Sequence, residues 1–258
     1  MQPVAITREI SPAFADCELT HQPRVPIDMV RARAQHEAYE RALADAGYRV
    51  ERLKSDADMP DAVFIEDTAI VFEEIAVMTR PGAVSRRGEV PAVADALEAH
   101  RAVRRIEAPA TIDGGDVLVA GRCVFVGLSS RTNRDAVRQL RSFLASYGYT
   151  VCEAAIEDCL HLKSAVTALN NDTLLMNPRL VNPQTFTGFE IIEVDPEEPM
   201  AANALRLRDR IIFPSAFPRT AIRLRANGFR VATIDASELA KAEGAVTCCS
   251  LLVDATEA

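Results

Sequence analysis

The residues best suited to chemistry in this chain begin with a pair of cysteines. In Glu243-Gly244-Ala245-Val246-Thr247-Cys248-Cys249-Ser250-Leu251, Cys248 and Cys249 follow a glycine-containing turn and precede the apolar run Leu251-Leu252-Val253. Neighbouring cysteines rarely bridge each other, because disulfide geometry strains the backbone at that spacing. They also lack the gap of about two to four residues usual between zinc ligands. A thiol at the end of a turn suits a nucleophile, although on this segment alone two small buried residues in a core strand are the more ordinary explanation. His161, in Cys159-Leu160-His161-Leu162-Lys163, stands at the mouth of an expected strand and could serve as a general acid or base. The other histidines, His21, His36 and His100, read as surface residues.

Carboxylates and arginines add to the set. Pro60-Asp61-Ala62-Val63-Phe64-Ile65-Glu66-Asp67 reads as an apolar strand interrupted by Glu66 and Asp67. Adjacent strand residues face opposite ways, so at least one carboxylate turns inward, where it needs a cation. A solvent-exposed strand end is the plain alternative. Asp113-Gly114-Gly115-Asp116 offers two acids about a tight turn, which an ordinary hairpin also explains. Arg86, before Arg87-Gly88-Glu89, and Arg131, before Thr132-Asn133, lie in loops where a guanidinium fork could hold a carboxylate or simply face water. Together these groups suit a small zwitterion carrying an extra positive charge.

Composition narrows the class. The 258 residues are 48% hydrophobic, enough for a sizeable core, and their 29 basic and 37 acidic residues give a net charge of −8. That balance argues against a nucleic-acid partner, which demands a basic stripe. It is compatible with a cationic amino-acid substrate. No run approaches the roughly 20 apolar residues of a membrane span. Six scattered cysteines and an N-terminus without a signal-like pattern lead us to expect a cytoplasmic protein with free thiols. A homodimer is compatible with this composition.

These groups must be positioned by repeated elements. No linker divides the chain, so one domain over 1–258 is expected. A unit of hairpin, helix and strand recurs: 62–79, 91–100 and 103–106, then 116–126, 133–147 and 150–153. A third unit, 164–176 and 190–194, exchanges its helix for a proline-rich stretch, and a fourth spans 204–213, 218–227 and 230–234. A C-terminal hairpin, 246–253, lacks a helix, while the N-terminal helix 29–46 and strand 48–53 lack a complete hairpin. Joined, the two ends make a fifth unit, closing a ring about a central cavity. An ordinary mixed α/β sandwich uses the same elements.

At these residues the sequence resembles dimethylarginine dimethylaminohydrolase, of the guanidine-modifying superfamily that includes arginine deiminase. The matching motifs are Phe64-Ile65-Glu66-Asp67, Arg80-Pro81-Gly82-Ala83 with Ser85-Arg86-Arg87-Gly88-Glu89, Asp113-Gly114-Gly115-Asp116, Ser130-Arg131-Thr132-Asn133, Leu160-His161-Leu162-Lys163 and Thr247-Cys248-Cys249-Ser250. They run in family order across nearly the whole chain. The resemblance implies an α/β fold, a five-bladed α/β propeller (the pentein fold) with pseudo-fivefold repeats around a central active site. It implies Cys248 as nucleophile, His161 as general acid/base and Asp113 as the acid that orients the histidine and the guanidinium. Asp61, Glu66 and Asp67 would face the guanidinium, Arg86 and Arg131 the amino-acid end, and Phe64 the pocket wall. Leu19 and Ala242 fall where the family uses mainly backbone contacts. The implied reaction converts Nω-methylated arginine to citrulline and a methylamine without metal or cofactor. Its rivals are a deiminase of arginine or another small guanidine, a non-catalytic binder of cationic amino acids, and a metal-binding regulator built on Cys159, His161 and Cys248.

Overall fold

The computed structural model describes residues 2–254. Among them the strands fall into five three-stranded sheets. In each sheet the central strand pairs antiparallel with one neighbour and parallel with the other. A parallel pair requires a crossover, and here it is usually a helix. In chain order the first four complete sheets are Ala69–Val71, Ile75–Met78 and Ala102–Arg105; Val117–Ala120, Cys123–Leu128 and Thr150–Ala155; Val166–Ala168, Thr173–Met176 and Glu190–Glu193; and Leu205–Leu207, Arg210–Pro214 and Val231–Ile234. Their crossovers are the helices Val90–Glu98, Arg134–Leu144 and Pro218–Ala226, with the 3-10 turn Pro183–Phe186 in the third sheet.

The fifth sheet joins the two ends of the chain. Leu251–Val253 pairs antiparallel with Val4–Arg8, which pairs parallel with Arg49–Leu53 across the helix Met29–Asp45. The ring closure expected from sequence is therefore present, but its C-terminal hairpin is not. Residues 246–249 form a turn, and the missing strand is Val4–Arg8. The expected 62–79 hairpin also shortens, because Ile65–Thr68 winds into a 3-10 turn before the strand at Ala69.

Local sequence accounts for the helices. The Asp28 side chain accepts hydrogen bonds from the Val30 and Arg31 backbone N–H groups, and Asn133 caps the helix after it through Ala136 N. Val137, Leu140 and Leu144 turn one face of the latter helix into the core, each contributing about 1.5–3 kcal/mol of burial. Tyr147 continues that face only in part, since the chain leaves through Gly148 at φ 73°. His36 corrects the surface reading: it is buried on the first helix beside Glu40, with its Nε2 unpartnered among the described residues. Burial lowers its pKa to about 4.

The innermost strands contribute Ile70, Leu118, Thr167, Leu205 and Leu251 to the wall of an axial channel of about 230 Å³. Each innermost strand is entered through a turn, and the five turns carry Glu66 and Asp67, Asp113 to Asp116, His161, Asn203, and Cys248. Glu66, Asp113, His161, Asn203 and Cys248 are spaced 47, 48, 42 and 45 residues apart. One position per blade thus reaches the same end of the axis.

Candidate active site

Cys248 sits in the turn before Leu251–Val253, where the Glu66 backbone N–H donates to its carbonyl at 3.1 Å. Because this segment is a turn, strand alternation does not separate the two cysteines. Packing does so instead: Cys249 is fully buried in a core cluster, while Cys248 is part exposed and lines a cavity. That cavity, of about 30 Å³, also receives Asp61, Asp67, Asp113, Arg131 and His161. Phe64, Arg86, Ala242, Gly244 and Glu18 complete most of its wall. Leu19 packs instead against a core cluster, and Glu66 lines the axial channel on the other side.

His161 is not on a strand. It precedes the short helix Leu162–Ala165, so it shares no strand face with Cys159, whose Sγ lies 3.5 Å from the His161 carbonyl. The imidazole Nε2 is 3.2 Å from Asp113 Oδ2, and Nδ1 is 4.0 Å from Asp67 Oδ1. Burial alone would lower its pKa, but the charges of Asp67, Asp116 and Asp113 raise it to about 9. Burial would likewise raise Asp67, yet His161 and Arg86 hold it below the usual carboxylate range. For Cys248, burial and the nearby Glu66 and Asp67 charges act together and push the thiol well above its ordinary value. At neutral pH the site therefore holds an imidazolium and a thiol. Ligand atoms of Asp67, Asp113 and His161 lie within 4.8 Å of one another, the separation a metal ion would need. A guanidinium would meet the same acceptors.

The loop before Val117 is built for close approach. Gly115 N donates to Asp67 Oδ1 at 2.9 Å, and Gly82 N donates to Asp113 Oδ1 at 2.9 Å. Asp116, which burial raises to about 6, accepts from Ser129, Thr132 and Leu162 N, fixing the loops of Arg131 and His161. A Cβ on Gly115 would stand 2.7 Å from His161 Nδ1 and 2.9 Å from Asp67 Oδ1. Gly115→Ala is therefore expected to displace the imidazole and lower kcat by about 10²-fold, while circular dichroism reports an unchanged fold.

The two arginines differ. Arg86 is buried, and its guanidinium donates to Asp67 at 2.5 Å, to both Glu89 oxygens, and to the Phe64 and Asp61 carbonyls. Arg131 keeps more freedom, with Nη2 only 3.4 Å from both Glu18 Oε2 and Thr20 Oγ1. Asp61 accepts from Glu18 N at 3.2 Å, and burial raises its pKa to about 6. Sequence reasoning did not single out Glu18 or Glu243. The Glu243 carboxylate accepts from Thr20, His21 and Gln22 backbone N–H groups, fastening that segment beside the cavity, and its own φ is 58°. Only the three-dimensional fold joins residues more than two hundred positions apart.

The chain and its fold are similar to those of known proteins. The arginine deiminase family model matches residues 56–212. Dimethylarginine dimethylaminohydrolase of Pseudomonas aeruginosa is 37% identical over 226 residues, covering 87% of this chain and 89% of that protein. Its counterpart in Streptomyces coelicolor is 37% identical over 249 residues, covering 96% of this chain and 95% of the relative. A solved structure of the Pseudomonas enzyme, a cysteine-to-serine mutant complexed with citrulline, superposes with a TM-score of 0.92 at 35% identity, covering 98% and 99% of the two chains. The N-terminal domain of ArgZ, a cyanobacterial arginine dihydrolase, shares the fold with a TM-score of 0.88 at 21% identity, covering 98% of each chain. The five-bladed ring, the cavity it closes and these likenesses agree: the chain belongs to the dimethylarginine dimethylaminohydrolase family, within the group described by the arginine deiminase model.

Proposed function

We propose that the protein hydrolyses Nω-methylated arginine, either asymmetric dimethylarginine or monomethylarginine, to citrulline and dimethylamine or methylamine. The observation that carries this reading is the convergence of Cys248, His161, Asp67 and Asp113 on one cavity. A relative at 35% identity captured with citrulline lends it support. The substrate is a small cationic amino acid, and its α-carboxylate goes to Arg131, the less committed guanidinium. Arg86 contributes a fixed buried charge and holds Asp67 in place. Asp67 and Asp61 face the guanidinium, Phe64 forms the wall, and backbone groups near Leu19 and Ala242 meet the amino-acid end. The guanidinium-side role expected of Glu66 passes to Asp67 and Asp61. The cavity encloses about 30 Å³, and Glu18 at its rim belongs to the segment that the Glu243 carboxylate fastens.

The chemistry follows from the charges. The cationic substrate lowers the cost of ionising Cys248, and the thiol proton leaves to solvent as the complex forms. Thiolate adds to the guanidinium carbon, while Asp67 and Asp61 balance the charge. His161, already protonated, gives its proton to the departing amine, which leaves poorly as an anion. The C–N bond breaks and a covalent thiouronium remains on Cys248. Neutral His161 then takes a proton from water, hydroxide adds to the same carbon, and collapse expels the thiolate. One further proton passes to solvent as the citrulline ureido group forms. Asp113 keeps the imidazole oriented throughout.

Residues 1–258 act as one domain in this reading, supported by the pairing of both chain ends in one sheet. Among the described residues, no helix is long and apolar enough to cross a membrane. The six free cysteines support the expected cytoplasmic location. The test is side-by-side turnover of asymmetric dimethylarginine, monomethylarginine and arginine. Faster formation of citrulline from the methylated substrates is expected. Faster ammonia release from arginine would overturn the preference.

A further inference from the structure

Beneath the nucleophile lies a polar partition between the active-site cavity and the axial channel. Lys163 Nζ sits 2.6 Å from Glu66 Oε1 and 3.2 Å from the Gly114 carbonyl. The Thr247 hydroxyl donates to Glu66 Oε2 at 2.8 Å and accepts from Asn203 Nδ2 at 3.0 Å. Asn203 also accepts from Thr247 N at 3.1 Å and donates to the Lys163 carbonyl at 3.0 Å. The ring Lys163–Glu66–Thr247–Asn203 is thus closed, and Thr247 immediately precedes Cys248. A second tie, Glu66 N to the Cys248 carbonyl at 3.1 Å, fixes the nucleophile's turn to the same acid.

Glu66 is buried, and an uncompensated carboxylate there would act on the thiol through little screening. Lys163 and Arg206 are the cations lining the channel, and Arg206 donates to Asn171 near its exposed end. Of these two cations, Lys163 is the one that contacts Glu66. The anions facing Cys248 are Glu66 and Asp67 from one turn, Asp113 from the next, and Asp61, Glu18 and Glu243 at the cavity rim. Its cationic surroundings are His161, Arg86 and Arg131, and the neutral Tyr39 hydroxyl and Cys249 thiol stand behind it. His161, Arg86 and Arg131 already answer Asp67, Asp113 and Glu18. Among the described residues, Lys163 is the one cation paired with Glu66, beside the hydrogen bond from the Thr247 hydroxyl.

We propose that Lys163 is a positioning residue that partly offsets the Glu66 charge across this partition and so helps to set the pH at which the Cys248 thiol reacts. It touches no reacting atom, and its effect passes through Glu66 and Thr247. The proposal rests on the reading of Cys248 as nucleophile, but its test does not require turnover. Alkylation of Cys248 by iodoacetamide, followed by mass spectrometry of the Cys248 peptide across pH, reports the thiolate directly.

Lys163→Met should move the alkylation midpoint upward by about one pH unit or more. Lys163→Arg should keep it near that of the parent protein, and Lys163→Met with Glu66→Gln should return it to the parent value or below. Glu66→Gln alone, which leaves the lysine uncompensated, should lower it and stands in if Lys163→Met does not fold. In Lys163→Ala, ethylammonium entering the channel should restore the parent midpoint. An unmoved midpoint in Lys163→Met overturns the proposal, as does a double variant that tracks the single one, a Glu66→Gln midpoint that stays or rises, or ethylammonium without effect. A shift in alkylation without any citrulline formation would instead defeat the assigned reaction and leave this electrostatic role standing.

Discussion

Cys248→Ser is expected to lose turnover by about 10⁴-fold or more, whereas Cys249→Ser keeps most of it. The two residues are adjacent, yet they occupy different environments. Cys248 shares the active-site cavity with His161, Asp67 and Asp113. Cys249 is fully buried in a core cluster, and its Sγ has only a 3.7 Å contact with the Ala245 carbonyl. A serine hydroxyl at position 248 would have to be ionised among the same acids that already resist formation of a thiolate, and it is intrinsically far harder to ionise. At position 249 the hydroxyl enters an apolar site and costs about 1–3 kcal/mol of stability without touching the reacting carbon. Citrulline formation and a urea melt on both variants separate these effects. Reversal of the two activity losses would show that the nucleophile had been placed one residue out of register.

His161→Ala carries the second large effect, a loss of about 10²–10⁴-fold in kcat/KM for removal of a positioned acid/base. Its pH dependence is more diagnostic than its size. Below pH 9 the imidazole is charged, because Asp67, Asp116 and Asp113 raise its pKa to about 9. The thiol, pushed higher by burial and by Glu66 and Asp67, is still largely protonated there. The reactive form needs thiolate and imidazolium together. As pH rises toward 9, the thiolate fraction grows while the imidazolium persists, so kcat/KM should climb about tenfold per pH unit. Above pH 9, loss of the imidazolium proton cancels the gain and the profile levels. In His161→Ala the climb should continue past that point. A profile that levels near pH 6.5 in the parent protein would show an ordinary imidazole and defeat this charge assignment.

The repeating unit was legible because its parts have different periodicities. The face formed by Val137, Leu140 and Leu144 reads as helix, and the neighbouring short apolar runs read as strands. Ring closure was legible from incomplete units at the two ends. The strand Val4–Arg8 was not, since its partners Leu251–Val253 and Arg49–Leu53 are distant in sequence and neither forms a hairpin with it. The 3-10 turn Ile65–Thr68 escaped for a related reason. An apolar run surrounding two acids looks like a strand until tertiary contacts wind it tightly.

That turn also explains the site residue most altered by the structure. Glu66 and Asp67 are neighbours, but Asp67 faces Arg86 and the active-site cavity while Glu66 faces Lys163 and the channel. No spacing rule distinguishes them. Arg86 read as a free loop arginine, although Glu89 three residues later was an available sign of an engaged one. Thr111-Ile112-Asp113-Gly114-Gly115-Asp116 was more transparent. Its glycines permit the approach to Asp67 and Glu66 that the structure shows, and its second acid organises the neighbouring loops.

The five entrance turns have a consequence for how such a molecule acquires its chemistry. Each blade holds its own turn, so the residue displayed there can change while the strands behind it stay as they are. Acid, imidazole and thiol stand on separate blades in equivalent seats, a division of labour among repeats that one continuous loop could not provide. Asn203 occupies the seat without a reacting group, and its amide only joins Lys163 to Thr247. That seat braces the nucleophile's turn through Thr247, so the ring divides its equivalent positions between reacting groups and the scaffold that holds them.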